Sequence, residues 1–381
     1  MPGVYIHIPF CRRRCLYCDF YSVGEPLAPW TRFVDSLLRE ATVRLPDFIK
    51  DNPGDTYTLY IGGGTPSLIP EEEFLRLTEG IRALMPVPVE FTIEVNPDDV
   101  TPLKADVWQR AGVNRISMGV QSMIDAELQA VGRRHSAEDA RSAYSILSER
   151  FANISLDLIF GLPGQTLESL SRSLEEIIAM KPKHVSVYSL MYEERSALTR
   201  LRDAGRIDEL PEQYSVAMFR VINEQLSEAG IRRYEISNYA IPGYESRHNS
   251  AYWRGDAYIG LGPAAHGFDG RNLRRANAAD FRKYMQAVSD DFIDEGSGLF
   301  GNEMLDEDEL REEMIMTRLR TTAGLDTEAF KTRFGEPAYR RLMRDADRWM
   351  RSGRLTMGSG SHLTLTDAGV MISDEIIADL F

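Results

Sequence analysis

Apolar residues recur in two rhythms along the first half of the chain. Short runs rich in β-branched and aromatic residues at 4–8, 56–61, 90–95, 115–120, 154–159 and 184–189 predict strands. Between them the spacing turns helical. Residues 30–45 place Phe33, Leu37, Leu38 and Ala41 on one face, and 71–84 open with Pro70 and acidic residues suited to a helix N-terminus. A third helix, 167–180, follows the Gly-Leu-Pro-Gly turn at 161–164. Strand and helix alternating six times imply parallel strands joined by right-handed crossovers. A partial (β/α)6 barrel accommodates six such units better than an eightfold one, and the pattern alone leaves an open doubly wound sheet as the alternative.

The alternation then lapses. Residues 211–230 predict an amphipathic helix with Tyr214, Ala217, Met218, Val221, Ile222 and Leu226 as its buried stripe, and 233–237 predict a strand. A Gly-rich stretch, 247–270, carries Tyr252, Trp253, Tyr258 and Phe268, and an acidic run at 303–313 leads into a helix. The tail reads helix (327–333), helix (338–352), short strands (355–356 and 363–365), then helix (367–380), the order of a winged-helix module. The expected organisation is a barrel over 1–230, an extension over 231–302 and a winged-helix-like α+β domain over 303–381.

Charge narrows the partners. Lys+Arg 44 against Asp+Glu 58 gives a net charge of −14, a poor footprint for coating nucleic acid. Residues 331–354 are locally basic, which the solvated face of the 338–352 helix accounts for, so no nucleic-acid partner is expected. The opening MPGVYIHIPF lacks the plan of a signal peptide, and no apolar run approaches the roughly 20 residues that span a bilayer. A cytoplasmic location is expected, with peripheral membrane contact and a homodimer left open.

The 3 cysteines stand together as Cys11, Cys15 and Cys18. An odd, crowded set argues against a disulfide framework and for a metal centre in a reducing compartment. Structural zinc asks for four ligands, and His7 is a poor fourth because it lies on the preceding strand. Three thiolates on one loop suit three corners of an iron–sulfur cube, leaving one iron open. Arg12, Arg13 and Arg14 are expected to lower the thiol pKa values.

The spacing Cys-x3-Cys-x2-Cys, with Tyr17 before the last Cys, resembles the signature of radical S-adenosylmethionine (SAM) enzymes. That resemblance implies a 4Fe-4S cluster on Cys11, Cys15 and Cys18, SAM chelating the open iron, reductive cleavage of SAM to methionine and a 5′-deoxyadenosyl radical, and a partial (β/α)6 barrel. Tyr5-Ile-His7-Ile-Pro9-Phe10-Cys11 is similar to the opening of the branch that holds oxygen-independent coproporphyrinogen III oxidases and HemW-type haem chaperones. Gly62-Gly63-Gly64-Thr65-Pro66 follows the second strand, where glycines let backbone approach a ligand. By motif alignment the resemblance implies SAM contacts from Gly63, Gly64 and Thr65, from Glu94 and Arg133 at the methionyl end, and from Gln121 and Asp157 near the ribose. Tyr5 and Tyr17 would flank the cofactor.

Two features separate the branch's members. Phe20 occupies the position of a further cysteine in the oxidase signature, and only ten residues precede Cys11 where the oxidases carry a long segment. Arg247-His248-Asn249-Ser-Ala-Tyr252-Trp253 resembles the His-Asn-x-x-Tyr-Trp motif of the HemW type, which implies haem on His248, with His266 as a weaker candidate. The expectation is a haem chaperone that passes haem to acceptor proteins. The alternative is an oxidase that decarboxylates the propionates of coproporphyrinogen III.

Overall fold

A computed structural model describes residues 1–25, 28–54, 56–289, 299–358 and 360–381. Six parallel strands form its centre: β1 Gly3–Ile8, β2 Thr58–Gly63, β3 Glu90–Val95, β4 Arg115–Gln121, β5 Ile154–Phe160 and β6 His184–Ser189. The sheet continues past both ends through β7 Arg232–Arg233, β8 Asn238–Ala240, β9 Tyr258–Leu261, β10 His266–Phe268, β11 Leu273–Asn277 and β12 Phe300–Met304. Its order is β12-β11-β10-β9-β1-β2-β3-β4-β5-β6-β8-β7. This is the partial (β/α)6 barrel expected from the six repeats, and it excludes the doubly wound alternative, whose strand order reverses at a switch point.

Side-chain alternation assigns the two faces of this sheet. Ile6, Ile61, Ile93, Ile116 and Ile154 pair in one register row, buried beneath the helices with Phe33, Leu37, Phe74 and Leu77. The next row on the opposite face is polar: His7, Gly62, Glu94, Ser117, Ser155 and His184. Tyr5, Tyr60, Thr92 and Arg115 form another row of that inner face. An eightfold barrel of this kind normally fills its interior with branched aliphatics. A polar interior on a strongly apolar exterior marks a lumen built to meet polar ligands.

Several local expectations shift. The second strand runs two residues later than read, because Tyr57 is buried ahead of it and the glycines extend its end. Residues 233–237 form no single strand; β7 and β8 flank a turn there. Arg247–Trp253, at the start of the Gly-rich stretch, is a helix capped by the Ser246 side chain. Thr327–Arg351 is kinked at Gly335, φ 86°, ahead of Pro337, matching the two helices expected. The last helix divides into Asp367–Val370 and Ser373–Asp379. Residues 290–298 of the 231–302 extension lie outside the described residues.

The winged-helix-like C-terminal domain holds its own apolar core, with Ile315, Leu319, Leu325, Phe330, Leu342 and Leu363 buried together. Five of its basic side chains are engaged with carboxylates: Lys331 and Arg340 with Glu336, Arg344 with Asp345, Arg348 with Asp379, and Arg351 with Asp347. No helix among the described residues is long and apolar enough to cross a membrane.

Candidate functional site

The cysteine loop hangs over the C-terminal rim of the barrel. It is closed at its base by a two-residue pairing of Phe10–Cys11 with Val23–Gly24. Leu16 ties it on both sides, its N–H donating to Val131 O at 3.0 Å and its carbonyl accepting from Leu198 N at 2.8 Å. Cys11, Cys15 and Cys18 are free and half-buried. Arg12, Arg13 and Arg14 are exposed; Arg12 pairs with Glu25 and Asp99, and Arg14 Nε donates to Cys18 O at 3.1 Å. Burial, not the arginines, dominates the thiols: it pushes Cys11 and Cys18 up, with the opposing pull of Arg133 on Cys11 and of Arg14 on Cys18 ranking last among the causes. The expectation of lowered pKa values therefore fails for these two thiols, since exposed guanidinium groups are screened by water.

Backbone and side chains of the rim converge on this loop. A Cβ on Gly64 would lie 2.7 Å from Phe10 O and 3.0 Å from Cys11 Sγ, so only glycine lets β2 end this close to the thiol. Thr65 Oγ1 donates to Cys11 Sγ at 3.4 Å. Arg133 is half-buried and donates to Asn96 Oδ1 at 2.9 Å, to Gly119 O at 2.6 Å and to Cys15 Sγ at 3.6 Å. Its Nε has no partner. Tyr17 packs beside it, and burial raises the phenol well above its ordinary range.

Glu94 faces the glycine run from β3. Its Oε2 accepts from Gly63 N at 3.0 Å and its Oε1 from Tyr60 Oη at 2.8 Å. Burial pushes this carboxyl up to about 7 against those two hydrogen bonds. Gly63, at φ 112°, leaves room for the His7 ring, which a Cβ there would meet at 2.7 Å. Tyr5 Oη bonds His7 Nδ1 at 3.0 Å. Gln121 ends β4 at φ 68°, beside a break in the register with β5, a left-handed conformation that a non-glycine residue adopts only when its surroundings hold it there. Asp157 accepts from Ser117 Oγ at 2.9 Å and Ser155 Oγ at 3.0 Å, and burial raises its pKa.

The residues singled out from sequence therefore fall into connected groups on one end of one lumen: Cys11 with Thr65 and Gly64, Cys15 with Arg133 and Tyr17, Gly63 with Glu94, and Asp157 and Gln121 on the far wall. Among the described residues no three His, Cys, Asp or Glu side chains converge on a single metal-ion point. An iron–sulfur cube distributes its thiolates over separate irons, so a loop of three separated, half-buried cysteines fits a cluster and not a mononuclear ion. The orphaned Arg133 Nε and the Gly63–Gly64 cradle fit a carboxylate-bearing ligand beside it.

His248 is not in this group. It lies at the opposite, N-terminal end of the strands, 1% exposed. Its Nδ1 bonds Thr58 Oγ1 at 2.7 Å, its Nε2 bonds Tyr252 Oη at 2.8 Å, and its ring stacks on Tyr60 with centroids 5.0 Å apart. Glu90 caps the helix carrying it, accepting from Arg247 N at 2.9 Å and His248 N at 2.8 Å. Burial, reinforced by Arg115, pulls the imidazole down to about 3. The open imidazole that the haem-ligand expectation required is absent; the motif closes the barrel floor, because both ring nitrogens are spent on neighbours.

Sequence reasoning missed Tyr60, Asn96 and Arg115. Tyr60 and Arg115 lie on the lumen face of β2 and β4, and Asn96 directly follows β3 in step with Thr92 and Glu94, so the period-2 rhythm of polar residues was the available signal. Arg115 is 1% exposed, and its Nε and Nη1 have no hydrogen-bond partner.

Comparison with known proteins agrees with this geometry. Residues 5–177 match the radical SAM superfamily, and residues 305–372 match the HemN C-terminal domain. The heme chaperone HemW of Bacillus subtilis (strain 168) is 34% identical, over 99% of this chain and 98% of that one. HemW of Escherichia coli (strain K12) is 38% identical over 74% of this chain and 75% of its own. Coproporphyrinogen III oxidase (HemN) from Escherichia coli, described as a radical SAM enzyme, superposes with a TM-score of 0.83 at 20% identity, covering 100% of this chain and 89% of that structure. At that identity the superposition speaks for the fold alone. Membership of the superfamily implies a 4Fe-4S cluster and SAM. With full-length relatives above 30% identity, the chain belongs to the HemW group of the radical SAM superfamily.

Proposed function

We propose that this protein is a cytoplasmic haem chaperone that binds haem, carries a 4Fe-4S cluster ligated by SAM, and delivers haem to acceptor proteins. The observation that carries the haem part of the reading is likeness along the whole chain to relatives named heme chaperones. Phe20 supports it: the side chain is 70% exposed, and it stands where the oxidase signature places a further cysteine.

In this reading Cys11, Cys15 and Cys18 hold the cluster, and the Gly63–Gly64–Thr65 run lies against the methionyl part of SAM. When bound and reduced, the cluster supplies one electron for SAM chemistry. The chain's own residues do the positioning. Arg133 offers a half-buried guanidinium to the methionyl carboxylate, held in place by Asn96 Oδ1 and Gly119 O. Glu94 receives the methionyl ammonium, and its carboxyl is oriented by Gly63 N–H and Tyr60. Asp157 and Gln121 meet the ribose, while Tyr5 and Tyr17 exclude water from the flanks.

Anaerobically reconstituted protein, given coproporphyrinogen III, SAM and a one-electron reductant, is expected to form no protoporphyrinogen at a sustained rate while still taking up haem in titration. Sustained formation of protoporphyrinogen would overturn the chaperone reading in favour of the oxidase.

A further inference from the structure

The far wall of the lumen carries a hydrogen-bonded chain that ends on Asp157. On β5 and β6, Ser155 pairs with His184 and Asp157 with Ser186. His184 is completely buried at the floor end of β6. Its Nδ1 lies 2.8 Å from Ser155 Oγ, and its Nε2 lies 2.8 Å from Oη of Tyr234, in the turn between β7 and β8. Ser155 Oγ in turn lies 3.0 Å from Asp157 Oδ1. At the other end Ser246, whose side chain caps the Arg247–Trp253 helix, brings its N–H to Tyr234 Oη at 3.2 Å. The chain thus climbs the wall from the floor helix to Asp157.

The protons in this chain have one consistent order. A backbone N–H only donates, so Ser246 uses the Tyr234 oxygen as an acceptor, and the phenol's own proton goes to His184 Nε2. Burial, reinforced by Arg115, pulls the imidazole well below its ordinary range, so the ring is neutral and carries its one proton on Nδ1. That N–H donates to Ser155 Oγ, and the Ser155 hydroxyl donates to Asp157. The reverse order would leave the phenol proton without an acceptor among the described residues and would turn the Ser155 hydroxyl away from the carboxylate.

Asp157 is where the chain opens. Ser155 and His184 are sealed, whereas Asp157 is half-buried on the lumen face. Ser117 donates to its Oδ2 at 2.9 Å, and Ser186 adds a third hydroxyl. A carboxylate offers about four acceptor sites, so about one remains for a ligand. Hydroxyls that all donate inward fix the group as an acceptor.

We infer that Ser155, His184 and Tyr234 are positioning residues that hold Asp157 as the acceptor for one hydroxyl of the SAM ribose. This rests on the SAM reading above. His184 and Tyr234 do not touch the ligand; they act through Ser155, and they tie the carboxylate to the Ser246 cap at the floor. A ribose hydroxyl meets a lone pair already aimed at it. A sugar lacking that hydroxyl leaves the buried acceptor unmatched, so the wall selects ribose over deoxyribose.

The test is anaerobic calorimetry of the full-length, cluster-loaded chain with SAM and with its 2′-deoxyribose and 3′-deoxyribose analogues. The wild type is expected to bind at least one analogue roughly tenfold more weakly than SAM. In Ser155→Ala and His184→Phe the ratio for one analogue should shrink towards one, through weaker binding of SAM with little change for that analogue. His184→Asn, whose amide N–H stands in for Nδ1–H, should recover most of the ratio. Ser155→Ala deletes a single hydroxyl and decides the matter alone if His184→Phe does not fold. Equal losses for SAM and both analogues in folded Ser155→Ala, with the wild-type ratios kept, would make the chain a packing element and overturn the inference while the SAM reading stands. A wild type that binds SAM and both analogues alike removes Asp157 from the ribose, and the inference with it. A wild type that binds no SAM overturns the SAM reading itself.

Discussion

At the C-terminal rim of the barrel, polar groups are half-buried and incompletely satisfied; at the N-terminal floor, similar groups are sealed and mostly matched. Rim and floor are ends of the same strands, a few residues apart. Glu94 at the rim has a carboxyl raised to about 7, Gln121 is held at φ 68°, and Arg133 keeps one buried N–H without a partner. At the floor, Glu90 caps a helix with both oxygens and His248 has both nitrogens bonded. Stored strain and unfilled hydrogen-bond capacity mark where a ligand is to be received, whereas completed networks specify the fold. The floor has exceptions too: Arg115 is a buried cation with two unmatched nitrogens, and Thr92 Oγ1 and Trp253 Nε1 are also without partners.

The largest expected difference between the ends is in iron. Cys15→Ser should abolish the cluster after anaerobic reconstitution, with iron and sulfide near zero per chain, because two remaining thiolates cannot hold the cube. His248→Ala should retain wild-type iron in whatever fraction folds. Full iron content in Cys15→Ser would sink the three-thiolate assignment.

Stability should rank the ends the other way. His248→Ala removes a buried ring and strands Thr58 and Tyr252, a cost of about 2–4 kcal/mol, read as a lower denaturant midpoint. A loss below about 0.5 kcal/mol would mean that the floor does not depend on this residue. Its pH dependence has a definite sign. The folded pKa of about 3 lies below the ordinary 6.5, so unfolding takes up a proton. The stability contributed by neutral His248 is complete above pH 6.5 and is lost as pH falls from there towards 3. An acid limb unchanged in His248→Phe would contradict this.

Binding of SAM should respond at the rim. Glu94→Gln keeps the shape but removes the charge facing the proposed ammonium, a loss of about 1.5–3 kcal/mol, or tenfold to a hundredfold in SAM affinity by calorimetry. Wild-type affinity should be full above pH 7 and fall below it as Glu94 protonates. A flat profile between pH 6 and 8 would remove Glu94 from the methionyl pocket.

The contrast also explains what the chain discloses before folding. The six repeats and the cysteine loop are local: a strand of 6 residues or a Cys-x3-Cys-x2-Cys loop carries its own signal. The union of Cys15 with Arg133 or of Gly63 with Glu94 was legible only through family resemblance, since 118 and 31 residues separate the partners. The burial of His248 was not legible at all. It depends on Thr58 at a separation of 190 residues and on Glu90 capping a helix 158 residues away. An imidazole beside aromatics reads identically as a ligand or as a packed floor until those partners arrive. The thiols went astray for a related reason: three adjacent arginines are visible in sequence, while desolvation is a property of the folded loop.

The smallest expected effect isolates strain from contact. Gln121→Gly removes the side chain at φ 68° and replaces it with the one residue that adopts that conformation freely. Relief of the left-handed penalty, about 1–2 kcal/mol, is offset by the added freedom of glycine in the unfolded chain, about 0.5–1 kcal/mol. The folded protein should therefore be as stable as the wild type or firmer by up to about 1.5 kcal/mol, while SAM affinity falls through loss of the amide. The two readings separate cleanly. Lower stability with unchanged affinity would make Gln121 a packing residue, and the rim would then resemble the floor. Higher stability with weaker binding would show that β4 ends in a strained conformation because the amide is needed at the ligand.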